Sequence, residues 1–193
     1  MTRSPAQRSL GLKDRRISPV EREARRLARP ILRAIAKGQL SVDGLNDTNR
    51  WAKRARRHAV IECLAKWLAS REPSYERVES LGMEKDGILL ARGVAFKLGA
   101  RAEIEPRLYA KASKVRRKYL AESVTLASCV VAMERATPLA YFDPDSKVVE
   151  GWESDKRRRK QFNRITADAH DYNVAFANDG RYVLIDYSWD NDE

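Results

Sequence analysis

The stretch Ile165-Thr166-Ala167-Asp168-Ala169-His170-Asp171-Tyr172-Asn173-Val174-Ala175-Phe176-Ala177-Asn178-Asp179-Gly180-Arg181-Tyr182-Val183-Leu184-Ile185-Asp186-Tyr187 decides how this chain is read. An apolar run at 173–176, the turn Asn178-Asp179-Gly180 and a second apolar run at 182–185 predict a β-hairpin, because Asn, Asp and Gly accept the backbone angles a tight reversal demands. Asp168 and Asn173 stand five residues apart ahead of it, and Asp186 follows the return strand, 13 positions beyond Asn173. A hairpin joins its own ends, so Asn173 and Asp186 are expected to be neighbours. Such a set meets the needs of phosphoryl transfer: a carboxylate to orient an attacking hydroxyl, and oxygen ligands for magnesium on nucleotide phosphates. Taken singly, Asp, Asn and Gly are only turn formers. Their joint spacing carries the reading.

Working outward, the residues before this stretch divide into a helical front and a mixed back. Residues 1–17 are polar, basic and aperiodic, and read as an arm. Ser18-Pro19-Val20-Glu21 is a capping box with proline at the first helical position. Val20, Ala24, Leu27, Ile31 and Ile35 continue at helical spacing to Gly38, with Pro30 expected to kink or divide the run. A second helix is expected from Asp47-Thr48 to Ser70, carrying Trp51, Ala55, Ile61, Leu64, Trp67 and Leu68 on one stripe. These two helices read as a hairpin packed on something else. After Pro73, strands are expected at 75–81, 87–91 and 93–98, a helix over 103–118, two strands within 119–134 (the second at 129–133), and a helix over 153–166. The fold class is α+β.

With 193 residues, 43% hydrophobic side chains and four Trp, the chain has enough apolar material to bury a core. No apolar run approaches the roughly 20 residues that span a bilayer, and the first 20 lack a signal-peptide apolar region, so no membrane partner and a cytoplasmic location are expected. Cys63 and Cys129 cannot form a disulfide framework, with only two histidines in the chain a zinc site is not expected, and both thiols read as inert. A net charge of +11 favours an acidic partner. Arginine dominates residues 1–60, and Lys156-Arg157-Arg158-Arg159-Lys160 forms a second cluster. Both fit phosphate contacts to nucleic acid, and both equally fit solvated helix faces. The acidic end, 186–193, is also a conceivable partner for the basic front. Trp152 and Phe162 read as core anchors, His58 as a helix-surface residue, and Asp143-Pro144-Asp145 as a turn.

The pattern Asp, four residues, Asn, then an Asp closing a hairpin resembles the catalytic loop of the protein-kinase superfamily. With His170 two residues after Asp168, it is similar to the aminoglycoside-phosphotransferase-like branch, and more so to the early serine/threonine kinases of short-tailed coliphages. Those also carry a Phe and an Asn before the turn glycine and a Ser-Trp after the last Asp, here Phe176, Asn178, Gly180 and Ser188-Trp189. The likeness is dense over 162–189 and thin elsewhere. It implies a minimal kinase-like fold at 73–193, with a sheet lobe at about 73–134 and a catalytic-loop part at about 135–193, preceded by the helical extension 18–72. Asp168 would be the catalytic carboxylate, Asn173 and Asp186 would hold Mg2+, and His170 would brace the loop.

The same resemblance extends forward. Val94-Ala95-Phe96-Lys97 looks like the strand presenting a phosphate-contacting lysine, which pairs with a helix glutamate. Glu105 is the first candidate, with Glu103 and Glu122 behind it. Gly82 and Gly87 match two glycines of the ATP-covering loop, but Glu84 occupies the place of the middle one, and a carboxylate there repels phosphates. Met133, in Val130–Glu134, would lie at the adenine hinge. The chain stops seven residues after Asp186, without an Ala-Pro-Glu motif or a peptide platform. Two expectations follow: Mg2+-dependent transfer from ATP to Ser or Thr of a host protein, or a catalytically dead fold that binds and inhibits a host protein or nucleic acid.

Overall fold

A computed structural model describes residues 17–40, 50–78, 87–98, 104–127, 130–166 and 169–187, the side chains of 50–57 excepted. Residues 1–16 of the expected arm 1–17, the Asp47-Thr48 helix start, the strand end 79–81, Gly82, Glu84, Glu103, Cys129, Asp168 and Ser188-Trp189 lie outside the described residues. So do the side chains of Trp51 and Ala55.

Helix α1 (Pro19–Ala36) begins where the capping box places it, with Ser18 Oγ accepting the Glu21 N–H at 3.0 Å. It ends in a Schellman turn: Gly38 has φ +69°, its N–H donates to Ile35 O, and Gln39 N–H donates to Ala34 O. Pro30 lies inside α1 without dividing it. Its ring removes one donor and crowds the preceding turn. In that turn the Trp67 indole, from helix α2 (Arg50–Ala69), donates to Leu27 O at 3.0 Å and supplies a tertiary partner.

Strands β1 (Glu76–Val78), β2 (Gly87–Ala91), β3 (Val94–Leu98), β4 (Ser123–Ala127) and β5 (Val130–Glu134) form an antiparallel sheet in the order β1-β2-β3-β5-β4. Arg92 and Gly93, with φ +30° and +79°, make the two-residue turn between β2 and β3. Alternation along the strands sends Leu89, Ala91, Val94, Phe96, Leu98, Val130 and Ala132 to one face. There they share a core with Ala24, Leu27, Ala28 and Ile31 of α1 and Val60, Ile61, Leu64 and Leu68 of α2. The helical pair is thus the back layer of the sheet. Lys97 and Met133 belong to the opposite face.

Between β3 and β4 the expected single helix is two, α3 (Ile104–Lys111) and α4 (Lys114–Arg117), separated at Ser113, whose Oγ caps the second by accepting from Arg116 N–H. The expected helix over 153–166 is the shorter α6 (Lys156–Asn163), capped by Asp155, which accepts Arg158 N–H at 2.9 Å, and an unforeseen helix, α5 (Lys147–Ser154), precedes it. An unforeseen strand, β6 (Ala136–Pro138), pairs with β7 (Val174–Ala177), which pairs with β8 (Tyr182–Leu184). The hairpin of β7 and β8 is the one expected, with Gly180 at φ +85° in its turn. Trp152 and Phe162 are buried beneath it and meet edge to face at 5.0 Å. Gly151 lets α5 approach, since a Cβ there would stand 2.9 Å from Tyr182 Oη, which donates to Val148 O. His58 is exposed on α2, and Asp145 N–H closes a turn onto Asp143 Oδ1 at 2.9 Å. Among the described residues no helix is long and apolar enough to cross a membrane.

A fragment starting at residue 73 lacks the back layer and uncovers the sheet face carrying Leu89, Phe96, Val130 and Ala132. It is expected to lose cooperative thermal unfolding and to bind a hydrophobic dye, whereas the full chain gives one sharp transition. Near-ultraviolet circular dichroism and dye fluorescence check this.

Candidate active site

On the front face of the sheet, β3 carries Lys97 among residues that are all buried. Its side chain is 4% exposed, and so is Glu105, in the first turn of α3. Lys97 Nζ donates to Glu105 Oε1 at 2.6 Å. Glu105, the first candidate, is thus a partner of Lys97, and Glu103 lies outside the described residues. Lys97 Nζ also donates to the backbone carbonyl of Ile185, at the exit of β8 and immediately before Asp186. Strand, helix and hairpin therefore meet at one ammonium group.

The hairpin places the next residues by register. Val174 faces Leu184 across the ladder, and Ile185 N–H donates to Asn173 O at 3.0 Å. Asn173 and the residue preceding Asp186 are consequently bonded neighbours, so the two oxygen donors flank the same end of the hairpin. Asn173 is buried at 8% exposure, and Asp186 is half-buried. The turn leading in is tight: His170 O accepts both Asn173 N–H and Val174 N–H at 2.8 Å. The Asn173 side-chain amide nitrogen, a donor only, lies 3.1 Å from His170 Nε2. His170 thus touches Asn173 directly. Asp168 lies outside the described residues, two positions before His170.

Two further expected site residues, Gly87 and Met133, lie on the sheet. Gly87 opens β2 opposite Leu98, one register step from the Ile88–Lys97 pair. Met133 is 1% exposed, paired through its backbone with Ala95 on one side and Ser123 on the other. Its side chain lies in the core shared with Leu120, Leu184 and Tyr187. After it, Glu134 N–H donates to Glu122 O at 2.8 Å, and Glu134 Oε1 pairs with Arg181 of the hairpin loop at 2.8 Å. Arg181 also grips Asp179, whose carboxyl burial would raise in pKa but the guanidinium holds below its ordinary range.

Sequence reasoning missed two participants. One is the Ile185 carbonyl, a backbone atom that no residue pattern announces. The other is Tyr187, fully buried, whose hydroxyl donates to Ala121 O at 3.0 Å. With Leu184 O accepting Ala121 N–H and Leu184 N–H donating to Tyr119 O, it stitches the hairpin exit to the segment leading into β4. Its position directly after Asp186 was the available signal.

Chemically, the arrangement offers a buried ammonium beside a carboxylate, then an amide and a second carboxylate at one hairpin end. Among the described residues no three His, Cys, Asp or Glu side chains cluster as a metal cage. A hard cation at this hairpin end would have to use oxygens of Asn173 and Asp186, a sparse protein donor set of the kind that leaves other ligands to complete the shell. The chain matches no known family model and no curated protein sequence.

Lys97→Met leaves Glu105 buried without its cation and is expected to cost about 3–5 kcal/mol in denaturant unfolding. Lys97→Met with Glu105→Leu should recover most of that, because two apolar groups leave no charge stranded. Equal losses in the single and double variants would show that the pair is not the coupled unit described.

Burial, and then the nearby Glu105 charge, raise the Tyr187 phenol above its ordinary pKa. The folded form therefore favours the neutral phenol. Its contribution to stability is complete below the unfolded value of about 10 and falls as pH rises beyond it. Tyr187→Phe is expected to lose about 1 kcal/mol at neutral pH through the missing bond to Ala121 O. It should also flatten the alkaline decline, as read by unfolding midpoints across that range.

Proposed function

We propose that this chain is a minimal kinase-like phosphotransferase that moves the γ-phosphoryl group of ATP to a Ser or Thr hydroxyl of a protein. The observation that carries the reading is the buried Lys97–Glu105 pair, joined through the Ile185 carbonyl to the hairpin that bears Asn173 and Asp186. A lysine held by a helix carboxylate is a fixed, desolvated cation, and electrostatic stabilisation of transferred charge is strongest where water is excluded. Lys97 would position phosphate oxygens. Asp168 would orient the acceptor hydroxyl and take its proton as the oxygen–phosphorus bond forms and the bond to the ADP oxygen breaks. Asn173 and Asp186 would hold Mg2+, which when bound neutralises phosphate charge, and His170 would keep Asn173 in place. By the resemblance in the catalytic loop, the acceptor is a host-cell protein and the place of action the host cytoplasm.

A second reading is a nucleotide-free scaffold of the same architecture that binds and inhibits a host protein. The enclosure of Met133 at 1% exposure favours it, since an adenine hinge needs an approachable edge.

Two measurements on the full chain separate these readings. ATP with Mg2+ at a hundredfold excess over Kd should stabilise the fold by about 2.7 kcal/mol, several degrees in Tm. Radiolabelled phosphate should pass to a protein acceptor, with Asp168→Asn reducing the rate at least about 100-fold and Asp186→Ala removing the dependence on Mg2+. No thermal shift and no transfer would leave the scaffold. Transfer that survives Asp186→Ala with its metal dependence intact would overturn the metal assignment.

A further inference from the structure

Helix α1 buries Ala24, Leu27, Ala28 and Ile31 against the sheet, so the opposite side of a rigidly held helix faces solvent. That side carries Arg22, Arg25, Arg26, Arg29 and Arg33, all exposed, at offsets of three, four, seven and eleven residues from the first. At about 1.5 Å per residue, Arg22 and Arg33 lie roughly 16 Å apart along the axis. With neighbouring small and apolar side chains, the five line a groove of about 410 Å³. Glu21 engages Arg25 at 2.9 Å and Glu23 engages Arg26 at 2.6 Å. For Arg22, Arg29 and Arg33, no carboxylate lies within ion-pair distance among the described residues.

We propose that this face of α1 binds the phosphate backbone of a duplex nucleic acid without reading its sequence. Guanidinium groups take phosphate oxygens two at a time, and a row of them on one rigid helix loses little order on binding. Among the described residues, the groove lining has no aromatic side chain. Base stacking, which holds single strands, is therefore not on offer. A membrane surface is disfavoured for a different reason: the apolar face that would enter lipid is already committed to the core. This site is independent of the phosphotransferase reading and uses none of its residues.

Fluorescence anisotropy of the full chain with labelled 20-base-pair duplexes, one DNA and one RNA, tests it. Neutralising three phosphates gives a log–log salt slope near −2.7, so affinity should fall roughly 40-fold between 50 and 200 mM salt. Arg22→Gln/Arg29→Gln/Arg33→Gln should abolish most of that slope while its thermal midpoint stays put, the residues being exposed. Lys156→Gln/Arg157→Gln/Lys160→Gln removes the same charge from α6 and should keep the slope. Binding by one duplex type alone would narrow the proposal to that nucleic acid and support it. Equal loss in both triple variants would reduce the effect to net charge and overturn it. So would a flat salt dependence, or an oligoglutamate peptide that displaces the duplex at equal charge, which would assign the groove to acidic protein segments.

Discussion

The ammonium of Lys97 is the point at which the sheet, helix α3 and the β7–β8 hairpin meet. It sits in the middle of the sheet, bonds a carboxylate on α3, and bonds the backbone of the hairpin exit. Removing one ion from water and placing it in a protein interior costs several kcal/mol even after relaxation, and a partner carboxylate costs as much again. Their mutual attraction offsets this only when both remain close and hydrogen-bonded. The carbonyl of Ile185 adds a further acceptor and ties the position of Asp186 to the sheet. A buried pair of this kind is a poor way to stabilise a fold, because well-packed apolar residues of the same volume serve as well or better. Its presence among Phe96, Val131 and Leu98, all buried, is therefore a reason to look for a ligand whose charge it meets.

The back layer makes that arrangement rigid. Lys97 can hold its place only if β3 cannot shift register, and a one-residue slip would turn Phe96 toward the front and Lys97 into the core under α1. Phe96, Val94 and Leu98 are pinned by the α1 and α2 side chains packed on them. The N-terminal helices thus supply the constraint that keeps a cation on the correct face. Their outer surface is left to carry charge, which α1 does with arginine. One helix serves two purposes on its two sides, and amphipathic periodicity is what permits it.

Much of this was legible where the determining physics is local. Ser18-Pro19 and Gly38 bracket α1 because caps and left-handed termini are chosen by single residues. The 178–180 turn announces its hairpin for the same reason, and with it the proximity of Asn173 and Asp186. Lys97 and Glu105 were identifiable by likeness to a known strand–helix pair, though only contact distinguishes Glu105 from its rivals. The break at Ser113 was readable in principle as a cap, but it lies within a run of good helix formers that masks it. Helix α5 was hidden because Gly151 and two valines lower its local preference, and packing against Tyr182 overrides that preference. Pro30 does not interrupt α1, and the bond the Trp67 indole makes to Leu27 O, from 40 residues away, is a contact no local pattern announces.

The Ile185 carbonyl marks the limit of reading a chain by its side chains. Every residue type could have stood at position 185 and presented the same oxygen; only the register of β8 against β7 and against Tyr119–Ala121 puts it beneath Lys97. The same register sets Tyr187 into the space under α3, where its ring fills the core and its hydroxyl reaches Ala121. Asp186 therefore sits between two anchored neighbours, one held by its carbonyl and one by its ring. A carboxylate so placed has little freedom to swing away, and what freedom remains belongs to its own side-chain torsions. Any group that engages it must come to that hairpin end, the place where Asn173 also stands.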